Sequence, residues 1–582
     1  MCNIRDRLLV SINDDSLFET TYQLCSENRG NHTAVGKELA LLHNQKYLNA
    51  LTEFIKLKKE IVGHKFFTIR QALDGALPEI DAPVLDVMKC VKHLTEQAGQ
   101  VMDDGLFFSP FTAYCQANNE RPDVVLDLAI DQHEDWKYFI FPAIVAGARI
   151  NLKGYVGKAI ELTTEQNVEI SSLAISALGR INYDDHVDLV AKVLKALKLV
   201  TQSECDDQLF SDVLRASYQL YLADKTKEIL VSDLIAVALV KRGCLTLNSA
   251  SKLFMFEKNA LPDSIIDHLL KAFEDVNPEQ IETLNNIDYG LKSLLEKDQE
   301  EKVINFLEVL LIKNGSSFSV SKFDSVGHAL LKNQNNILSK TITRWLMSDV
   351  VWLGRSAFDL INDFGGKKNI LSADLKQLEK KSDGAHFFLA KKACGWLFLN
   401  PIPAVSFIVS LIDSASDGEM KSISEILFNP LLISYSGSVK EYLQNLPEES
   451  SKKVKNIVAQ LLADLDDYHE GLQSTRNLKE FEPSVSQREA YYRKNNREMS
   501  ESYKEVQKGS FLGQMFFGKT SVLLYGNSSI HYIYNGPDGE KSRQEIPLQS
   551  IKTSFEFPSL QMLAPLELEM KLRNFRLEGC IS

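Results

Sequence analysis

Residues 168–198 read VEISSLAISALGRINYDDHVDLVAKVLKALK, and this stretch decides the fold class. Its first half places apolar residues at steps of three and four, the spacing that lines one face of an α-helix: Ile170, Leu173, Ala174, Ala177, Leu178 and Ile181. After a polar break at residues 182–185, the second half repeats the spacing with another set: Val187, Val190, Ala191, Leu194 and Leu197. The stretch predicts two amphipathic helices joined by a short turn.

The two-helix pattern returns along the chain. The next pair is predicted to bury Phe210, Val213, Leu214 and Leu220, followed by Ile229, Leu230, Leu234 and Ala238. Successive second helices start near Val187, Ile229, Ile265, Val303 and Ile337, at separations of 42, 36, 38 and 34 residues. This loose period is that of a two-helix repeat rather than a propeller blade or a leucine-rich repeat. Because one pair cannot cover its own apolar stripe, stacked pairs would share a continuous core.

Residues 168–348 therefore resemble HEAT or armadillo-type helical repeats. The resemblance lies in the pairing and the period of the helices, as in SSLAISALGR at residues 171–180, and not in a fingerprint motif. It implies an α-solenoid with an extended surface for a protein partner, and it leaves the identity of that partner open.

The composition excludes some classes of protein. The chain has 582 residues, of which 44% are hydrophobic and 25% are charged, as in ordinary soluble globular proteins. Its formal charge of -13 argues against a surface that binds nucleic acid throughout. The eight cysteines lack C-x-x-C spacing, which predicts neither a zinc site nor a disulfide framework. We expect reduced thiols, a cytoplasmic protein and no cofactor.

Two apolar stretches bear on targeting. The run at residues 8–12 ends at once in Asn13, Asp14 and Asp15, and is too short for a secretory signal. Residues 393–412 are uncharged and long enough for a membrane span, but NPIP at residues 400–403 interrupts them. The interruption predicts a turn between two buried helices, residues 385–399 and 404–411, and no membrane span.

The pattern predicts a mainly α chain with three parts. Residues 1–150 form an N-terminal helical region, residues 151–472 form the helical-repeat solenoid, and residues 473–582 form a charged helix followed by a small antiparallel β unit. Short β-type runs occupy residues 522–525, 530–534, 544–548 and 551–557, separated by turn residues. Residues 566–572 alternate apolar with charged side chains, which predicts a half-buried strand.

One motif matches a phosphate-binding loop. Residues 513–520, GQMFFGKT, satisfy G-x-x-x-x-G-K-[ST], in which Lys519 would contact phosphates and Thr520 would hold magnesium. A phosphate-binding loop follows an apolar strand and opens a helix, whereas this one follows a charged helix and precedes a strand-like run. An apolar turn that packs against the β unit is the favoured interpretation, and nucleotide binding stays open.

A second candidate is a metal-dependent nuclease centre. Asp123, Asp135 and Lys137 have the order of a PD-(D/E)-x-K site, with residues 124–130 and 138–141 as strands. The polar residues 131–134 stand where an apolar strand would lead into the second acid. A chance match is favoured, and the prediction assigns no catalytic residue.

A third cluster combines oxygen and imidazole ligands that could hold a metal: Asp466, Asp467, His469 and Glu470. Because it lies at the polar end of a helix, a solvated helical turn is favoured, and no metal ligand is assigned.

The clearest basic segment is the helix predicted at residues 487–508. Its basic side chains alternate with tyrosines, a combination that can contact phosphates and stack on bases: Arg488, Arg493, Lys494, Arg497, Lys504 and Lys508. Four glutamates dilute this charge, as expected of an ordinary exposed helix.

Three functions therefore stay open. The favoured one is a non-catalytic scaffold or adaptor in a cytoplasmic multi-protein assembly, with a protein partner on the solenoid face. The second is a nucleic-acid-binding subunit, for which a bacterial antiphage defence or mobile-element system is suggested by general appearance and by no motif. The third is an enzyme, either a nucleotide hydrolase through Lys519 or a nuclease through Asp123, Asp135 and Lys137. The sequence leaves the oligomeric state open.

Overall fold

The structure is a computed structural model, and it describes most of the chain. The described ranges are residues 4–14, 16–27, 32–99, 108–183, 186–202, 206–240, 243–256, 261–332, 336–379, 384–475, 478, 483–509, 528–535, 540–547 and 556–579. The chain divides into two compact units, residues 1–337 and 338–582. The boundaries predicted at residues 150 and 472 stay predictions.

The described part of the first unit is built from helices. They are α1 (Ile4–Asn13), α2 (Leu17–Glu27), α3 (His32–Asn44), α4 (Ala50–Phe54), α5 (Lys59–Val62), α6 (Phe66–Ala76), α7 (Val84–Ala98), α8 (Phe108–Gln116), α9 (Arg121–Asp131), α10 (His133–Trp136), α11 (Ile140–Ile150), α12 (Leu152–Leu162), α13 (Val168–Arg180), α14 (Val187–Gln202), α15 (Asp207–Ala223), α16 (Glu228–Val240), α17 (Cys244–Phe256), α18 (Asp263–Phe273), α19 (Ile281–Leu295), α20 (Glu300–Asn314) and α21 (Asp324–Lys332).

Alternate helices of the first unit pack side by side in two series. One series is α11, α13, α15, α17, α19 and α21, and the other is α12, α14, α16 and α18. Most of these helices also contact the helix that precedes or follows them in the chain, which covers one face of each helix. The predicted pair of residues 168–198 is confirmed as α13 and α14, and the prediction of a mainly α chain is confirmed with it.

Polar side chains join successive helices of the first series. They connect residues that lie 35 to 40 positions apart in the sequence: Ser172 with Asp212, Ser211 with Ser249, Asn248 with Thr283, Asn286 with Ser251, and Asp288 with Ser325 and Val326. The spacing of these bonds equals the spacing of the helix pairs. Each bond therefore fixes one pair against the next at one register.

Two glycines bring α3 and α6 into close contact. A Cβ atom at Gly36 would lie 2.5 Å from the carbonyl oxygen of Ala72 and 2.5 Å from the carbonyl carbon of Gly75. Both neighbours are backbone atoms, so no side-chain rotation can make room. The close contact between α3 and α6 therefore requires glycine at position 36.

We expect Gly36→Ala to destabilise the first unit by about 2 kcal/mol, because α3 and α6 must move apart to admit the methyl group. The measurement is chemical denaturation followed by helical circular dichroism. The matched control is Gly157→Ala within α12, where nothing lies within 4 Å of the added Cβ. That variant should equal or exceed the wild type, since alanine favours helix. Equal losses in both variants would contradict the close contact.

The described part of the second unit holds ten α-helices and a strand pair. They are α22 (Ile337–Leu346), α23 (Val351–Asp363), α24 (Ala385–Leu397), α25 (Pro401–Val409), α26 (Asp417–Ile426), α27 (Ser438–Gln444), α28 (Lys452–Thr475), α29 (Val485–Gly509), β1 (Ser528–Asn535), β2 (Glu540–Pro547), α30 (Ser559–Leu563) and α31 (Pro565–Leu577). A break separates α24 from α25 as predicted, but it lies at residues 398–400, and residues 401–403 of the predicted turn belong to α25. No helix in the described ranges is both long and apolar enough to span a membrane.

The β unit is described in part. Strands β1 and β2 pair antiparallel, with Ser528 opposite Pro547 and Asn535 opposite Glu540. The predicted strand at residues 522–525 and residues 551–555 of the last predicted strand lie outside the described residues. A β unit larger than this hairpin stays a prediction.

The strand predicted at residues 566–572 is wrong, because these residues belong to α31. Pro565 occupies the first turn of the helix, where a missing amide hydrogen costs nothing. In an alternating sequence such as LELEMKL, every second apolar residue is four positions from the last but one, which is also a helical spacing. The two buried residues, Leu568 and Leu572, are such a pair. Alternation over seven residues thus also satisfies a helix.

Residues 556–579 pack on other helices of the second unit. The helix α31 lies against α24, and a Cβ at Gly395 would approach the Cβ of Phe575 to 3.0 Å. Arg576 Nε donates to the carbonyl oxygen of Gly395 at 2.6 Å, and Lys392 Nζ donates to that of Arg576 at 2.8 Å. The Glu556 carboxylate accepts the amide hydrogens of Gly437 and Ser438 at 2.7 and 2.9 Å, at the start of α27. These bonds define one docked C-terminal segment.

Candidate protein-binding surface

The structure gives the three residues of the predicted nuclease centre separate partners. The Asp123 carboxylate accepts from Tyr155 Oη at 2.5 Å and from Lys158 Nζ at 2.7 Å, and the Lys158 bond first of all lowers the pKa of Asp123. Asp135 pairs with Lys92 at 2.8 Å. Lys137 pairs with Glu169, a bond that raises the pKa of Lys137. Each charge is thus neutralised within a different helix contact.

The strands predicted beside this centre are wrong. Residues 124–130 lie in α9, and residues 138–141 span a short 3-10 turn and the start of α11. Pro122 in the first turn and buried Val125, Leu126 and Ala129 at steps of one, three and four favour the helix. Without the two strands, the scaffold that a PD-(D/E)-x-K site needs is missing at these residues.

Two further motifs were predicted, the acidic and histidine cluster at residues 466–470 and the loop at residues 513–520. The structure describes the first and not the second. Asp466 of α28 pairs with Lys440 of α27 at 2.9 Å, and α28 continues to Thr475. Within the described ranges, no group of three His, Cys, Asp or Glu side chains could hold a metal ion. Residues 513–520 lie outside the described residues, so nucleotide binding by Lys519 and Thr520 is untested.

The predicted basic helix is confirmed as α29. Arg493 pairs with Glu489 at 3.1 Å and Lys494 with Glu498 at 3.7 Å, both four residues apart on the same helix. Arg488, Arg497 and Lys504 are exposed, and the side chain of Lys508 lies outside the described part. Tyr491 Oη donates to Met562 Sδ of α30 at 2.5 Å, so this ring already has a partner. Nucleic-acid contact along α29 stays a prediction.

A surface that the sequence did not single out lies on α16. This helix reads EILVSDLIAVALV, with Glu228, Ser232 and Asp233 as its polar residues. A helix that is apolar on all sides is normally buried on all sides. Here Ile229 is 78% exposed and Val240 is 73% exposed, while Leu230 and Val237 are exposed to a smaller degree. The helix α16 therefore presents an apolar row to solvent.

This finding corrects part of the predicted core. Leu234 and Ala238 are buried as predicted, whereas Ile229 and Leu230 are exposed, and so is Val187 on α14. The reason is that α16 offers apolar residues to both of its sides, and spacing alone cannot decide which side faces the neighbours. The useful signal in the sequence was the lack of a polar face.

The neighbouring helix α14 adds positive charge. Its exposed side chains include Lys192, Lys195 and Lys198, together with Leu199, which is 62% exposed. The three ammonium groups have no ion-pair partner among the described residues. We call eight exposed residues of these two helices the outer surface: Lys192, Lys195, Lys198 and Leu199 on α14, and Ile229, Leu230, Val237 and Val240 on α16. Because α14 packs against α16, the lysine row and the apolar row lie on neighbouring helices.

Two exposed acidic residues lie on the same two helices as the outer surface. Asp188 is exposed in the first turn of α14, and Asp233 is exposed between Ile229 and Val237 on α16. The lysines therefore outnumber the acids by one, in a chain whose formal charge is -13. An exposed apolar area with polar residues at its rim is typical of a protein-binding surface.

A cavity of about 380 Å³ lies in the first unit beside α3 and α6. Its lining includes Phe67, Arg70 and Asp74, and Arg70 Nη2 lies 3.6 Å from Asp74 Oδ2. Burial raises the pKa of Asp74 to about 6, against the opposing effect of Arg70. The two groups form an ion pair in the lining of the cavity. We assign this pair a structural role.

The folded first unit should lose stability as the pH rises through the pKa of Asp74. The folded state holds a proton that the unfolded state releases between pH 3.8 and about 6, so the contribution of this group is largest at low pH. From pH 5 to pH 8, the stability of the wild type relative to Asp74→Asn should fall by about 1 kcal/mol. Denaturation at both pH values, with the difference between the two proteins as the readout, cancels other titrating groups. A constant difference would contradict the raised pKa.

Comparisons with known proteins identify no relative. No protein-family model and no curated protein matches the chain. A crystal structure of an engineered protein aligns with 80% of this chain and 99% of its own length, at 14% identity and a TM-score of 0.20. A score of this size carries no argument about fold or function.

Proposed function

We propose that this chain is a non-catalytic helical-repeat scaffold or adaptor that binds a protein partner on the outer surface of α14 and α16. The alternate packing of α11 to α21 supports the helical-repeat part of the proposal, as do the polar bonds repeated every 35 to 40 residues. We further propose that the hairpin β1–β2 belongs to a small C-terminal β unit that makes a second contact.

The observation that carries the proposed function is the apolar row of α16. Burying Ile229, Leu230, Val237 and Val240 would gain about 1.5 to 3 kcal/mol for each side chain that is fully covered. A helix within a stacked array has no need of such a row for folding, because Leu234 and Ala238 already fill its core side. A partner that covers the row would explain why it is apolar.

The test is a capture experiment that compares three full-length proteins in their native lysate, each treated with nuclease. They are the wild type, Val237→Glu combined with Val240→Glu, and the control Ile61→Glu, which replaces an isolated residue that is 76% exposed on α5. We expect a protein that is retained by the wild type and the control and lost from the α16 variant. Equal capture by all three proteins would contradict the outer surface as the binding site.

The alternative hypothesis, that α29 binds nucleic acid, predicts a different result in the capture experiment. Nucleic acid recovered before nuclease treatment and lost on replacement of Arg488, Arg497 and Lys504 would assign the function to α29. Arg493 and Lys494 are left out of this variant because each is paired with a glutamate of α29. A parallel capture without nuclease, which includes the variant of Arg488, Arg497 and Lys504, therefore separates the two proposals.

A further inference from the structure

The partner of the outer surface can be described by its chemistry. The apolar row from Ile229 to Val240 covers eleven residue steps of α16, about 16 Å along the helix axis. The lysine row from Lys192 to Lys198 covers six steps of α14, about 9 Å. Helices that pack directly lie 8 to 10 Å apart, so a single element in the groove between them would touch both rows.

The lysine row differs from two other lysines of the same array, which are paired within the chain. Lys302 of α20 binds Asp263 at 3.3 Å and Asp267 at 2.8 Å, and Lys252 of α17 binds Glu282 at 3.2 Å. Lys192, Lys195 and Lys198 have no such partner among the described residues. Their charge is therefore available to an acidic group from outside the chain.

We infer that the outer surface binds an acidic amphipathic helix of a protein partner. Its apolar side chains would cover the row of α16, and its carboxylates would pair with the lysines of α14. This inference rests on the proposed function and adds the nature of the partner to it. Asp233 lies within the apolar row of α16, so the partner helix would carry a hydrogen-bond donor opposite that carboxylate.

A phosphate backbone fits the surface less well. Nucleic acid would neutralise the three lysines, but its charged backbone would leave Ile229, Leu230, Val237 and Val240 without an apolar partner. An uncharged apolar helix would cover the row and leave the lysines unpaired. The acidic amphipathic helix satisfies both rows at once.

The test titrates the full-length protein with fluorescent helical peptides and follows their anisotropy. The acidic probe is about 18 residues long, since shorter helices are unstable in water, with leucines at positions i, i+3, i+4 and i+7 and glutamates beside them. The basic probe has lysines in place of the glutamates. We expect the acidic probe to bind at least tenfold more tightly than the basic probe, with an affinity that falls as salt rises.

Two variants assign the binding to the two rows. Replacing Lys192, Lys195 and Lys198 by glutamate should weaken the acidic probe at least tenfold and strengthen the basic probe. Replacing Val237 and Val240 by aspartate should weaken both probes. The matched control replaces three exposed lysines elsewhere, Lys58, Lys89 and Lys421, by glutamate, which changes the net charge equally and should leave both affinities unchanged. Helical circular dichroism confirms that every variant is folded.

The outcomes separate this inference from the proposed function. Equal affinities for the two probes, or displacement of the acidic probe by a short DNA or RNA duplex, would overturn the acidic helix as the partner. If the capture experiment succeeds while the acidic probe fails, the scaffold function stands and only the partner chemistry is wrong. If the α16 variant retains its captured protein, the binding site itself is wrong.

Discussion

Replacing Leu568 and Leu572 together by alanine is expected to release the C-terminal segment, residues 556–579, from the second unit. These side chains are 3% and 6% exposed, and they are the buried apolar contacts of α31 against its neighbours. Each buried leucine-to-alanine change costs about 2 to 5 kcal/mol, because apolar contacts are lost and a cavity remains. The polar bonds of Glu556, Lys571 and Arg576 contribute about 1 kcal/mol each, so each is weaker than one buried leucine.

Hydrogen exchange at two amides reports this release directly. Gly437 and Ser438 donate to the Glu556 carboxylate in the docked state, so their exchange should accelerate by several orders of magnitude once the segment leaves. The control replaces Leu566 and Met570, which are 75% and 65% exposed on the same helix, by alanine. Exchange in the control should match the wild type. Protected amides in the leucine variant would show that polar contacts alone hold the segment.

Asp288→Ala should destabilise the first unit by about 3 kcal/mol, because a buried carboxylate caps the next helix of its series. Asp288 lies on α19 and is 4% exposed, and its two oxygens accept the amide hydrogens of Ser325 and Val326 at 2.8 and 2.9 Å. Alanine would leave both amides at the start of α21 without their acceptor, and each buried unsatisfied amide costs about 1 to 3 kcal/mol. Denaturation curves, with hydrogen exchange at residues 325 and 326, measure the effect.

The matched variant Asp288→Asn tests the reason for the loss. Burial raises the pKa of Asp288, so a neutral side chain avoids the cost of a desolvated charge while its carbonyl oxygen still accepts a hydrogen bond. The amide oxygen of Asn accepts one of the two bonds, while its NH2 group faces the other backbone donor. We therefore expect a loss of about 1 to 2 kcal/mol, smaller than that of alanine. If both variants lose the same stability, ionic charge rather than capping is the contribution of Asp288.

Much of the architecture could be read from local spacing. The helices α13 and α14 followed from steps of three and four, and α29 followed from a charged run with tyrosines. The break before α25 followed from Asn400 and two prolines, although the prolines themselves lie in the first turn of α25. These features are local, because helix formation depends on residues within about four positions of each other.

Spacing failed where two structures fit the same pattern. LELEMKL satisfies both a strand and the helix α31, and its docking on α24 decides in favour of the helix. Residues 124–130 contain β-branched and apolar side chains that suit either structure, and a proline at the helix start with buried Val125 and Ala129 decides again. For α31 the deciding contact is distant in the chain, whereas for α9 the proline is a local signal.

The sequence by itself determined that this protein is mainly α, where its helix pairs begin, and that its charge is too negative for a wholly basic surface. The tertiary structure decided which side of each helix is covered. Ile229 and Leu234 have the same apolar chemistry on one helix, yet Ile229 is 78% exposed and Leu234 is buried. Asp123, Asp135 and Lys137 likewise received separate ion-pair partners. Local spacing sets a helix face, but only the neighbours, brought together from 35 to 40 residues away, determine whether that face is core or surface.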